Sequence, residues 1–290
     1  MNDCNPDIVL HFGAQSLVRK SYAEPLNTLN TNILGTANLL ESIRHSENIK
    51  VAVNMTSDKC YDNRYSEKPH SENDPMGGFD PYSASKGASE LITSSYRNSF
   101  FNSKDSCKIA TVRCGNVIGG GDWSDDRIIP DSIRALSKNQ NIKIRNPNAT
   151  RPWQYVLESI SGILWLTTTL LEEKGFDEAW NFGPNVDNTS YVSVKELVKK
   201  MIAIWNSDNV IDIQESENEL HESKLLILDS SKANQELKWK NVCSIDEAIS
   251  ETVGWYKEYE NNDNGMKEFS INQIKKYIEL AKQRNLIWTK

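Results

Sequence analysis

Several motifs that would give this chain away at sight are missing from it. Its 290 residues include only 14 glycines and contain neither G-x-G-x-x-G nor G-x-x-G-x-x-G. The one glycine run, Gly119-Gly120-Gly121, has no G-K-[ST] after it and reads as a flexible substrate loop, not a phosphate cradle. Five cysteines (Cys4, Cys60, Cys107, Cys114 and Cys243) form an odd set without a C-x-x-C pair, and no basic flank or apolar h-region opens the sequence. Disulfides and secretion therefore both lose support. Four histidines stand far apart with no H-E-x-x-H, so no metal is expected. The longest apolar stretch, about Gly162 to Leu171, is interrupted by threonines and falls well short of the roughly 18 residues a membrane span needs. A cytoplasmic protein with no membrane partner is the expectation. Positive charge is also in deficit: 33 Lys and Arg against 40 Asp and Glu leave a net −7, which disfavours nucleic acid.

What remains is an ordinary globular composition, 38% hydrophobic and 25% charged, sufficient for one large domain or two smaller ones. An apolar run from Ile8 to Phe12 ends on Gly13-Ala14, small residues that let a ligand approach a strand end. After Pro25, the positions Leu26, Leu29, Ile33, Ala37 and Leu40 predict a helix with one buried face. Strands are predicted at Val51 to Met55 and Ile109 to Val112, with an amphipathic helix over about 83 to 101 between them. This alternation is that of a parallel α/β sheet, whose ligands gather at the carboxyl ends of its strands. Residues 115 to 154 are rich in Gly, Asn, Pro and Asp, and helical patterns return near 155 to 172, 193 to 205, 245 to 260 and 269 to 284. The acidic residues Glu215, Glu217, Glu219 and Glu222 read as a solvated loop.

Tyr82 and Lys86 form a Y-x-x-x-K pair, one helical turn apart on a shared face. Tyr191 and Lys195 repeat that spacing, but no other polar constellation stands beside them, and Tyr191 reads as structural. A phenol acting as a base near neutral pH must lose about three pKa units, or about 4 kcal/mol. An ammonium at ~4 Å and an effective dielectric of ~20 supplies about that much. Asp58 and Lys59 directly follow a buried strand and offer an acid and a base at the same sheet edge, although a loop ion pair would look the same. The window 108 to 156 holds eight basic and four acidic residues, among them Arg127, Arg145 and Arg151, in an otherwise acidic chain. Guanidinium forks suit a diphosphate, and Trp153 or a neighbouring aromatic could stack on a base.

The segments HFGAQSLVRKSY (11 to 22), TSDKCYDN (56 to 63), ENDPMGGFDPYSASKGASEL (72 to 91), CGNVIGGGDWSDDRIIPD (114 to 131), IRNPNATRPWQYV (144 to 156) and AWNFGP (179 to 184) together resemble the CDP-glucose 4,6-dehydratases. These are a nucleotide-sugar branch of the extended short-chain dehydrogenase/reductase family. The resemblance implies a Rossmann-like doubly wound parallel sheet over 1 to 115, and a smaller α/β substrate-binding region over 116 to 290, with 155 to 184 returning to the first domain. It implies NAD as cofactor, with Gly13, Ala14, Thr56, Tyr82 and Lys86 against it. Tyr82 would take the sugar C4 hydroxyl proton, Lys86 would hold ribose and acidify Tyr82, and Ser57 would polarise the C4 oxygen. Lys59 would remove the C5 proton and Asp58 would protonate the departing C6 hydroxyl. Asn116, Arg127, Arg145, Arg151 and Asn181 would hold the sugar nucleotide, with Arg151 on the diphosphate, and Cys60 would serve packing. A role in deoxysugar and surface polysaccharide (O-antigen) synthesis, and a homodimer or homotetramer, follow from the same resemblance.

One part of that pattern is not matched. Family members carry a glycine-rich first turn and an acidic residue for the adenosine ribose ahead of the strand that corresponds to Ile8 to Phe12. On the order of 60 to 80 residues, about two βαβ units, have no counterpart, so the sheet is expected to be N-terminally truncated. Two other readings stay open: a sugar-nucleotide 4-epimerase, which has no use for Asp58 and Lys59, and a non-catalytic remnant or partner subunit that binds sugar nucleotide only.

Overall fold

The structure, a computed structural model, describes residues 4–62, 68–103, 106–173, 175–184, 191–213 and 226–290. The acidic residues 215 to 222 lie outside the described residues. The chain divides into two compact units. The first takes Met1–Gly115, Ser161–Phe182 and Leu226–Leu237; the second takes Asn116–Ile160, Gly183–Leu225 and Lys238–Lys290.

The first unit is built on four parallel strands, β1 (Ile8–His11), β2 (Val51–Met55), β3 (Lys108–Cys114) and β8 (Ala179–Phe182), hydrogen-bonded in the order β1-β2-β3-β8. Between β1 and β2 the chain runs through α1 (Val18–Ala23), α2 (Pro25–Leu29), a π-helical turn (Asn30–Leu34) and α3 (Gly35–Arg44). Helix α4 (Pro81–Phe100) joins β2 to β3, and α6 (Val156–Glu172) leads to β8. The register aligns Val9, Ala52 and Ile109 across three strands. These residues pack with Leu40 and Ile43 of α3 and with Phe101 beyond α4. Two residues further on, the same face turns polar: His11, Asn54 and Thr111 stand side by side, followed by Arg113 beside Asn181.

The expected buried stripe after Pro25 needs correction. Leu26 is 73% exposed, and the buried positions are Thr28, Asn32, Thr36 and Leu40. They recur at steps of four because the π-helical turn is wider than an α-turn and rotates the following helix. Thr28 and Asn32 are buried because they bond to Gln15, with Asn32 Nδ2 also donating to Ser85 Oγ at 2.8 Å.

The second unit packs α5 (Ile128–Ser137), α7 (Val194–Trp205), α9 (Ile245–Asn261) and α10 (Met266–Gln283) around one apolar core that includes Ile133, Ile142, Leu197, Val253 and Tyr256. Three short ladders border that core: β4 (Val117–Ile118) with β7 (Gln154–Tyr155), β5 (Ile142–Ile144) with β10 (Ile211–Ile213), and β6 (Thr150–Arg151) with β9 (Val192–Ser193). Helices α7 and α9 each begin with a capping box, Ser193 with Glu196 and Ser244 with Glu247. The short helix α8 (Ser231–Gln235) lies against β8 in the first unit. All five cysteines are free thiols.

Candidate active site

Strand β2 is buried from Val51 to Asn54 and delivers Ser57, Asp58 and Lys59 at its carboxyl end. There the chain tightens into a 3-10 turn, Asp58–Cys60, capped by Ser57, whose hydroxyl accepts from the Lys59 amide at 3.2 Å and donates to Asp58 Oδ1 at 2.9 Å. Asp58 is buried, and the end of β3 abuts its carboxyl group. A β-carbon on Gly115 would collide with Asp58 Oδ2, so glycine is required for that close approach. Cys60 packs with Tyr61, Leu228 and Met76, the role expected for it.

Helix α4 presents the other half of the constellation. Asp80 caps it, Oδ1 accepting from the Ser83 amide at 2.9 Å, and Pro81 occupies the first turn. Gly87 lets the helix lie against backbone, since a β-carbon there would meet the Gly77 and Cys60 carbonyl oxygens. Tyr82, Ser85, Lys86, Ser89, Glu90 and Thr93 line its buried side. Lys86 Nζ donates to the Met55 carbonyl at 3.2 Å, which joins the Y-x-x-x-K helix to the strand end two residues before Ser57. Burial pushes the Lys86 ammonium down to about 8, with Glu90 and Cys60 pulling the other way. Burial likewise lowers His11, and the nearby Lys86 charge lowers it further.

Under α4 the polar half of the sheet is hydrogen-bonded to the helix. Glu90 accepts from Thr111 Oγ1 at 2.8 Å, from Arg113 Nη2 at 2.8 Å and from the Thr56 hydroxyl, while Asn54 donates to Thr93 at 3.0 Å. Burial alone would push the Glu90 carboxyl up, but Arg113 and the two hydroxyls outweigh it and hold it below its ordinary value. Arg113 continues the network to the Tyr61 hydroxyl at 2.6 Å, and Tyr61 stacks on His70 at 4.8 Å. Sequence reasoning missed Glu90, Thr111, Arg113 and Gly115. Two signals were available: Glu90 follows Lys86 by one turn, and Thr111 and Arg113 share a face of β3.

Two of the expected ligand residues already have protein partners. Asn181, expected at the sugar nucleotide, is fully buried. Its amide donates to the His70 and Asp229 carbonyls at 2.9 and 3.1 Å, and its Oδ1 accepts from Tyr61 at 2.7 Å. Both amide hydrogens are consumed in pinning loops together. Thr56, expected against the cofactor, is buried and gives its hydroxyl hydrogen to Glu90. Gly13 and Ala14 do follow the carboxyl end of β1, beside His11.

The other expected sugar-nucleotide residues lie in the second unit. Arg127 pairs with Asp122 at 3.4 Å, Arg145 with Asp126 at 3.2 Å, and Arg151 Nη1 donates to the Thr150 carbonyl at 3.0 Å. Asn116 adopts a left-handed conformation (φ 52°), and its carbonyl accepts from the Gln154 amide. Trp153 is not available as a stacking platform: it is buried in the core, its indole N–H donating to the Val192 carbonyl at 3.1 Å.

A family model described as GDP-mannose 4,6 dehydratase matches residues 1–252. The chain belongs to this family. The CDP-glucose 4,6-dehydratase of Salmonella typhimurium is 47% identical over 259 residues, covering 88% of this chain and 71% of that protein. A human dTDP-D-glucose 4,6-dehydratase is 25% identical over 274 residues, covering 91% of the chain and 74% of that protein. The crystal structure of Bacillus anthracis dTDP-glucose 4,6-dehydratase in complex with NAD superposes with a TM-score of 0.73 at 20% identity, over 92% of this chain and 77% of that one. The Rossmann-like α/β fold and the nucleotide-sugar dehydratase relation expected from the sequence are both borne out by these likenesses. No described helix is long and apolar enough to cross a membrane.

Proposed function

We propose that the chain is a CDP-glucose 4,6-dehydratase, which converts CDP-glucose to CDP-4-keto-6-deoxyglucose with NAD as a returning cofactor. The observation that carries this reading is the Lys86–Met55 hydrogen bond. It draws the Tyr82–Lys86 helix onto the strand end that bears Ser57, Asp58 and Lys59. For the nicotinamide ribose the residues fit: Lys86 gives one hydrogen to Met55 and keeps two for ribose hydroxyls, next to the small residues Gly13 and Ala14. For the adenosine half, the 290 residues contain no glycine-rich turn.

When bound, NAD accepts hydride from sugar C4 and later returns it to C6, so no net redox change results. Tyr82, one helical turn before Lys86 on the buried side of α4, takes the C4 hydroxyl proton. The C4 ketone acidifies C5, where Lys59 removes the proton while Asp58 gives one to the departing C6 hydroxyl, releasing water; Lys59 returns its proton to C5 when C6 receives hydride. Ser57, already hydrogen-bonded to Asp58, polarises the C4 oxygen. Arg127, Arg145 and Arg151 supply guanidinium groups for the diphosphate once they exchange their present partners for it, and Asn116 lies near them in the sequence.

Incubation with CDP-glucose and NAD should generate a 4-keto sugar, seen as strong near-ultraviolet absorbance in base. A folded sample that binds both and yields none would overturn the reading. A 4-epimerase would do without Asp58 and Lys59, and would return a C4 epimer with no base-induced absorbance. A sugar-nucleotide-binding subunit without tightly held cofactor would be distinguished by an NAD titration, in which saturable micromolar binding would decide against it. The exposed Leu26, Leu34, Leu91 and Phe100 on the α2–α3 run and on α4 support a homodimer formed through these helices. Light scattering that returned a monomer mass would exclude that assembly.

A further inference from the structure

Glu90 is a buried charged group that the mechanism leaves unused. It is 5% exposed, is held ionised, and touches no atom that the proposed reaction employs. Its contacts nevertheless join the helix that bears Tyr82 and Lys86 to the two strand ends that hold Ser57, Asp58 and Lys59. It sits on α4 one turn beyond Lys86 and two beyond Tyr82. Its carboxylate accepts from Thr56, the residue immediately before Ser57, and from Thr111 and Arg113 of β3, the strand that leads to Gly115 and so to the Asp58 carboxyl. We propose that Glu90 is a positioning residue for the dehydration, the single carboxylate that clamps the Tyr82–Lys86 helix in register with the strand ends bearing Ser57, Asp58 and Lys59. The proposal rests on the assignment of those five residues under the proposed function.

The geometry also gives Glu90 an electrostatic role. The titratable groups facing Lys86 are His11 from β1, Cys60 from the turn after β2, and Tyr82 and Glu90 from its own helix. Burial pushes the Cys60 thiol well up and holds His11 below its ordinary value, so both are uncharged near neutral pH. Among the described residues, Glu90 is then the anion whose field reaches the buried ammonium. Thr56 and Thr111 donate their hydroxyl hydrogens to Glu90 and Arg113 gives it a charged hydrogen bond, so the carboxylate cannot rotate away from this position without leaving donors unpaired.

The test compares Glu90→Gln, Glu90→Asp and the double variant Glu90→Gln with Arg113→Met, which leaves no unpaired buried guanidinium. Tyr82→Phe serves as the control for the reading itself. Turnover is followed from neutral to alkaline pH. In parallel, the rate of Lys86 acetylation in the protein alone is measured by mass spectrometry over the same range. For Glu90→Gln the expected results are a kcat lowered on the order of 10- to 100-fold with KM for the sugar nucleotide little changed, an alkaline limb moved to lower pH, and Lys86 reactive toward acetylation at lower pH. Glu90→Asp should recover part of each. If the single variant does not fold, the double variant carries the test with the same expected directions. Wild-type kcat and an unmoved Lys86 profile in a folded variant would overturn the proposal. So would a kcat loss uniform in pH with Lys86 unmoved, since that marks Glu90 as a packing residue. Retained activity in Tyr82→Phe would overturn the underlying reading instead, whatever Glu90 does.

Discussion

At the scale of single residues, the site depends as much on what is left out as on what is supplied. Asp58 is buried with its carboxyl against the backbone of Gly115, and the gap is too small for one extra carbon. Gly115→Ala should therefore push the Asp58 carboxyl out of line with Ser57 while leaving the fold intact. We expect kcat to fall on the order of 10²-fold, since general acid catalysis contributes about that much or more, with KM for the sugar nucleotide changing far less. Steady-state kinetics on a variant with wild-type circular dichroism would check this, and an unchanged kcat would show that Asp58 does not need its present place. The candidate catalytic residues were legible in the sequence because Y-x-x-x-K and S-D-K each keep their side chains in one short stretch. The protein contacts of Asn181 and Thr56 were not legible: a buried amide or hydroxyl that holds loops together has the same letter as one that binds a ligand. Only the partners His70, Asp229, Tyr61 and Glu90 tell the two apart.

At the scale of elements, helix α4 carries the most. Its start is fixed by Asp80, which accepts from both the Ser83 amide at 2.9 Å and the Ser83 hydroxyl at 2.6 Å. Tyr82 is the second residue of that first turn, so a frayed start would disperse the phenol. Asp80→Ala should cost about 1 kcal/mol of stability and should lower kcat more than its loss of stability accounts for. Thermal melts and turnover measured on the same preparation would decide it, and equal activity per folded molecule would refute it. Long elements with a clean period were readable: β2 spans the expected Val51 to Met55, and α6, α7, α9 and α10 all lie within a few residues of their predicted positions. Helix α5 escaped notice because Pro130 reads as a breaker. It stands in the first turn, where its missing N–H would have had no helical partner in any case. The π-helical turn escaped because a period of 3.6 cannot represent a turn with one residue too many.

At the scale of the whole molecule, Glu158 provides a pH-dependent fastening of the second unit. It is buried in the first turn of α6, where it accepts from the Val242 and Cys243 amides and from the Tyr277 hydroxyl at 2.9 Å. Burial pushes it up to about 7, against the lowering effect of those donors. Its folded value is raised above the unfolded value of 4.5, so the folded chain keeps a proton that the unfolded chain releases. Stability should therefore decline as pH climbs from about 4.5 to about 7 and level off above, by about 3 kcal/mol in total from this group. Glu158→Gln should flatten that decline in denaturant titrations across the interval. Equal slopes for the variant and the wild type would rule the group out as its source.

The two units are threaded through one another along the chain. The polypeptide leaves the first unit after Gly115, returns at Ser161, leaves again after Phe182, returns at Leu226 and departs for good after Leu237. Strand β8, hydrogen-bonded to β3, arrives only on the second visit. A fragment cut at Gly115 would carry Tyr82, Lys86, Ser57, Asp58 and Lys59 but would lack the ribbon that flanks Arg113. Dissecting the protein into separately expressed halves thus calls for rerouted connections, not a single pair of scissors.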